Sequence, residues 1–245
     1  MVFSTVLSAQ NSHPLSCRFE KYYLEGNMGS WEQLADSMQE QRLSKLESDV
    51  LLQAQYGLIG YYFSQNQKKE AAELFKHFDK RLDDLLNIYP SNADYLSFRA
   101  ASYGFRIALA PLRAPFLSGQ HQQAIEKALE QNRGNALPYI EQGNSLYFRP
   151  AFVGGDKQKA KVAYEKALSI LELQGHCDWL YYNTASWLGQ VYTNLGEPEK
   201  AYQIYTDILE KEPEFDYVKN ELLPQLLEGK FIDVSSEIEK NMMPK

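Results

Sequence analysis

Residues 185 to 213 alternate small and large side chains at fixed intervals: Ala185, Leu188, Gly189 and Tyr192, then Ala201, Tyr205 and Pro213, with Gly196 between the two groups. Steps of three and four residues place each group on one helix face. Each small residue falls where two antiparallel helices must approach closely, and each large one fills the space beside it. A single hairpin of this kind leaves an apolar face uncovered. The pattern therefore demands further hairpins stacked against it.

They are found upstream. In residues 136–171, Tyr139, Gly143 and Leu146 repeat the first-helix positions, and Ala160, Tyr164 and Ala167 the second, with five extra residues inserted within Arg149–Asp156. One unit earlier, Leu96, Ala100 and Tyr103 are followed by His121, Ile125 and Ala128, with nine extra residues around Pro111–Phe116. Before that, Leu58, Ile59 and Tyr62 precede Ala71, Phe75 and Phe78, and this second helix runs on in phase through Leu82, Leu85 and Leu86 to Pro90. Four hairpins thus cover roughly residues 45–213. Leu15–Glu25 and Trp31–Arg42 read as a short helix pair split at Gly26–Gly29, with Ser30 as N-cap. Tyr217–Leu227 reads as a terminal capping helix that Pro224 kinks or ends, as the last hairpin needs a cover.

The Ala185–Pro213 spacing resembles the tetratricopeptide repeat, with Ala185 where that repeat usually has Trp. The runs SYGFRIALAPLRAPF, AIEKALEQN and YIEQGNSLYFRPAFVGGDKQKAKVAYEKAL between Ser102 and Leu168 resemble a group of bacterial tetratricopeptide proteins common among Bacteroidetes. Their hairpins are interrupted by similar "KAPF" and "P-x-x-F-G-G" loops; here Val153 separates Phe152 from Gly154–Gly155. The second loop is also similar to periplasmic repeat subunits associated with TRAP transporters and, more distantly, to regulators of microtubule dynamics. The resemblance implies an all-α fold, a right-handed superhelical stack of hairpins (an α-solenoid) with short capping helices. It also implies an exported or cell-envelope binding protein.

Composition excludes several classes. The chain has 245 residues, 44% of them hydrophobic, which suffices for a buried core. Its net charge is −7 with scattered Lys and Arg, so no basic stripe faces a nucleic acid. No run of ~18 apolar residues is present to span a bilayer. No nucleophile elbow, phosphate loop or zinc-protease helix occurs, and pairs such as Asp83–Asp84 lie on polar helix faces. The expectation is a protein without catalytic activity and without cofactor. His13, His77, His121 and His176 show no ligand spacing, so no metal site is expected.

The segment MVFSTVLSAQ at residues 1–10 has two readings, the end of a signal peptide whose start lies upstream or an unstructured terminus, with residues 1–13 outside the domain. The folded domain is expected over 14–228 and a polar tail over 229–245. Pairing of Cys17 with Cys177 stays open, since two cysteines define no framework.

Two sets of side chains are candidates for binding. The insertions at 111–119 and 149–156 occupy equivalent turns and bring Arg106, Arg113, Phe116, Arg149, Phe152 and Asp156 towards one edge. One reading is a small pocket for a carboxylate or phosphate, with Gly154–Gly155 offering backbone N–H groups. The other is plain packing, with the two Phe rings as plugs and Asp156 as a helix cap. The second set, Asn144, Tyr147, Asn183 and Gln190, joins Tyr56 and Phe63 on first helices and is expected to line a concave groove. No cation accompanies them, which argues against a clamp for a C-terminal carboxylate, while an extended or helical peptide is compatible. The function read from the sequence is recognition of a protein or peptide partner in the periplasm or envelope, the alternative being a carrier of a small anionic ligand.

Overall fold

Short polar side chains set the helix starts. Ser44 and Glu47 form a reciprocal capping box, the Glu47 N–H donating to Ser44 Oγ at 3.3 Å and the Ser44 N–H to Glu47 Oε2 at 2.8 Å. Asn92 accepts from the Tyr95 N–H at 3.0 Å, and Asp178 from the Leu180 N–H at 3.1 Å. The computed structural model describes residues 13–174 and 177–230, and within them the chain is all-helical with no strand. The α-helices are α1 (Pro14–Leu24), α2 (Met28–Gln39), α3 (Lys45–Ser64), α4 (Lys68–Ile88), α5 (Ala93–Leu109), α6 (Ala114–Gln131), α7 (Leu137–Phe148), α8 (Lys157–Gln174), α9 (Trp179–Asn194), α10 (Pro198–Lys211) and α11 (Leu223–Leu227). Of the suggested signal remnant at 1–13, residues 1–12 lie outside the described residues, as do residues 231–245 of the tail.

Three boundaries differ from those expected. Helix α2 begins at Met28 because Asn27, not Ser30, is the cap: its Oδ1 accepts the Ser30 N–H at 3.1 Å. The insertion at 111–119 is mostly helix. Pro111 opens a 3₁₀ turn to Arg113, and α6 starts at Ala114 with Pro115 in its first turn, where a missing N–H costs nothing. Near the C-terminus, Pro224 does not end the helix, which runs on to Leu227. A π-helical turn at Val218–Leu222 precedes it, and the Leu223 N–H reaches back five residues to the Val218 carbonyl.

Helices pair in sequence as α3–α4, α5–α6, α7–α8 and α9–α10, with α4 on α5, α5 on α7, α6 on α7 and α8 on α9. The small-to-large register read from the sequence governs these contacts. Gly143 lies against Tyr164 so closely that a Cβ would stand 2.6 Å from its ring, and at Gly189 a Cβ would stand 2.2 Å from the Tyr205 ring. Ala160, Tyr164, Ala201 and Tyr205 are all buried. Each large side chain so buried contributes roughly 1.5–3 kcal/mol.

The first and last hairpins also meet. Gln53 on α3 donates to Asp178 Oδ1 at 3.0 Å. Trp179 rests on Gly57, where a Cβ would come within 2.8 Å of the indole. Trp179 also stacks edge-on to Trp31 with centroids 5.2 Å apart. Helix α1 seals this junction: Asn183 donates to the Tyr23 hydroxyl at 3.0 Å. The pairing that the sequence left open is a disulfide, Cys17 to Cys177, closing a loop across 160 positions.

Candidate functional site

The two insertions place large apolar side chains in water. At the α5–α6 connection Leu112 is 92% exposed and Phe116 78%, with Arg113 exposed between them. At the α7–α8 connection Phe152 is 66% exposed and Val153 48%. Neither Phe makes a ring contact with another aromatic among the described residues. Helix alternation puts both connections at the same end of their hairpins, and α5 packs on α7, so the two groups share one end of the molecule.

Segment 149–156 is built by its glycines. Gly154 adopts φ 96°, a conformation that side chains rarely take. A Cβ on Gly155 would lie 1.8 Å from the Arg149 carbonyl oxygen, so only glycine fits. The Val153 and Gly155 N–H groups donate to the Pro150 carbonyl, Gly154 to Ala151 and Asp156 to Leu146. These donors are therefore spent inside the loop and do not point at a ligand. Asp156 caps α8 through the Lys159 N–H at 3.0 Å, and that bond holds its carboxyl below the usual carboxylate range.

The arginines separate. Arg106 turns away from this end onto α4, donating to Asp79 Oδ2 at 2.6 Å above the Phe75 ring. Arg149 is half-buried, donates to Ser145 Oγ at 2.5 Å, and has no carboxylate partner among the described residues. Its charge and the surrounding burial push nearby His121 down to about 4, with burial the larger cause. His121 stands at the position that is alanine in the neighbouring hairpins, is 4% exposed, and its Nδ1 has no partner.

Of the residues expected to line a groove, Tyr56 and Tyr147 are buried and Asn144, Asn183 and Gln190 are half-buried, and Tyr56 and Asn144 join a polar network with Glu141 and Tyr164. Tyr56 donates to Glu141 Oε1 at 2.7 Å, Asn144 Nδ2 to both Glu141 and the Tyr56 hydroxyl at 3.1 Å, and Tyr164 to Asn144 Oδ1 at 2.7 Å. Tyr147 is fully buried and its hydroxyl accepts from Asn194 at 2.7 Å. Asn183 serves Tyr23, and Gln190 donates to the Ser186 carbonyl at 3.5 Å and shares a hydrogen bond with Tyr217. Sequence reasoning passed over Glu141. It sits between buried Ile140 and Gly143, three residues before Asn144, and its position on the inward stripe was the available signal. Burial raises its carboxyl to about 7.

Two open clefts lie elsewhere. One, of about 380 Å³, runs between α2 and α4 and is lined by Glu32, Asp36, Tyr62, Glu70, Glu73 and His77. The other, of about 290 Å³, lies beside the disulfide among Glu20, Lys21, Glu25, Glu212 and Glu214. Neither includes a residue of 111–119 or 149–156. Among the described residues no three His, Cys, Asp or Glu side chains are grouped to hold a metal ion, and no helix is long and apolar enough to cross a membrane. No family model, curated protein or solved structure matches this chain.

Proposed function

We propose that the chain is a non-catalytic binding protein of tetratricopeptide-repeat type, that its partner is a protein or peptide, and that it works in the cell envelope. The observation that carries this reading is the exposure of Leu112, Phe116, Phe152 and Val153 at one end of the molecule. Single exposed apolar residues are ordinary, but four large ones on two neighbouring connections form the kind of patch that a partner covers. Gly154 and Gly155 fix the loop geometry, so Phe152 is presented by a rigid turn. The Cys17–Cys177 bond supports an oxidising compartment, where disulfides persist.

A photo-cross-linking residue placed at Phe116 or Phe152 in the host should yield one shared adduct. The same residue at Leu173, which is 87% exposed on α8, should not. Equal labelling from all three positions would reject the patch as the binding face. A second reading, a small anionic ligand, is favoured by the absence of a carboxylate beside Arg149 among the described residues. It ranks second because the loop's backbone donors are already engaged.

A further inference from the structure

Helix α1 is held by packing and by one covalent bond, and it is opposed by charge. Phe19 is 1% exposed and lies 5.0 Å from the Trp31 ring, while Tyr23 lies 5.5 Å from Trp179 and 5.4 Å from Phe215. Against this, carboxylates from three elements converge beside the disulfide: Glu20 on α1, Asp178 capping α9 and Glu212 capping the end of α10. The Asp178 N–H donates to Glu20, and the Tyr182 hydroxyl on α9 donates to Glu212 at 3.3 Å. From α3 only the neutral amide of Gln53 faces Asp178, and Asp94 on α5 adds a further negative charge towards it. The adjoining cleft is lined by Glu20, Glu25, Glu212 and Glu214 with Lys21. Lys21 pairs with Glu25 at 3.7 Å and Lys219 with Glu214 at 2.8 Å, which leaves Glu20 and Glu212 without an ammonium partner among the described residues.

We propose that α1 is a clasp whose grip weakens as Glu20 and Asp178 ionise, and that the Cys17–Cys177 bond locks it. The disulfide form stays shut across neutral pH; the dithiol form opens as pH rises and bares the Trp31–Trp179 cluster.

Burial, then repulsion from Asp178 and Glu212, raises the docked Glu20 carboxyl to about 7, and burial raises Asp178 to about 6. A Glu20 swung into water returns to its ordinary 4.5, so the docked state holds the proton more tightly. The clasp is therefore firmest below about pH 4.5 and loses that contribution as pH rises through about 7. Unlocking needs an external dithiol. It delivers two electrons and two protons to the S–S bond, leaves two thiols on the chain, and is itself oxidised to a disulfide. Cys17 and Cys177 are only half-buried, and Cys17 borders the cleft, so a small reductant can reach the bond.

Amide hydrogen exchange of the full chain tests this, with rates corrected for the intrinsic effect of pH. In the reduced chain, α1 protection should fall at least about tenfold from pH 6 to 8, a figure reduced for the solvent that still reaches Glu20. The oxidised chain should show no such fall, and reduced Glu20→Gln should lose most of it. The paired variant Cys17→Ser/Cys177→Ser gives the dithiol-like state without reductant. Unchanged α1 protection in the reduced chain overturns the proposal, as does equal opening of the oxidised chain. Loss of protection in α5 and α7 together with α1 also overturns it, since the bond would then hold the whole fold.

Discussion

Gly189 shows how much one missing side chain decides. Its Cα faces the Tyr205 ring at a spacing that leaves 2.2 Å for any Cβ, and the tyrosine is buried and cannot swing away. Gly189→Ala should lower stability by about 1–3 kcal/mol, as overpacking does, and Gly189→Trp should unfold the last hairpin. Thermal melts check both. A Gly189→Ala/Tyr205→Leu double variant should recover part of the loss, and strict additivity would contradict the contact. This pair was legible in the sequence because a four-residue step and a turn glycine specify it. Glu141 was not, since a lone acid in an apolar run looks the same whether solvated or sealed in by Tyr56 and Asn144.

At the scale of elements, the apolar period gave the existence and order of the helices, while their ends followed local chemistry. Asn27 outcompetes Ser30 because its side chain reaches the third N–H of the helix that results. The insertion at 111–119 looked like a loop because it holds two prolines, yet both occupy first-turn positions that helices accept. The α1 contact with α9 was hidden for a different reason: nothing local encodes a pairing across 160 positions. Closing so long a loop restricts the unfolded chain strongly. Cys17→Ser/Cys177→Ser should therefore cost about 3–5 kcal/mol in the entropic account, measured by urea unfolding under non-reducing conditions. An unchanged midpoint would mean that packing alone positions α1.

For the molecule as a whole, buried acids set the response to pH. Glu141 titrates near 7 when folded against 4.5 ordinarily, so its contribution is complete below about pH 4.5 and lost as pH rises through about 7. Glu20 and Asp178 act in the same direction. The chain should be more stable at about pH 5 than at about pH 8, with Glu141 accounting for on the order of 3 kcal/mol. Glu141→Gln should flatten the profile, and a melting temperature that climbs towards pH 8 would contradict it.

The meeting of the first and last hairpins has a consequence for how such a chain changes over generations. An open row of hairpins can gain or lose a unit by duplication or deletion, because each unit touches only its neighbours. Here Gln53 needs Asp178, and Gly57 needs the Trp179 ring, at fixed separations. An added hairpin would pull both pairs apart, and a deleted one would drive them into collision. The number of units is thereby constrained, and the connections, where the exposed Phe116 and Phe152 stand, are free of that constraint.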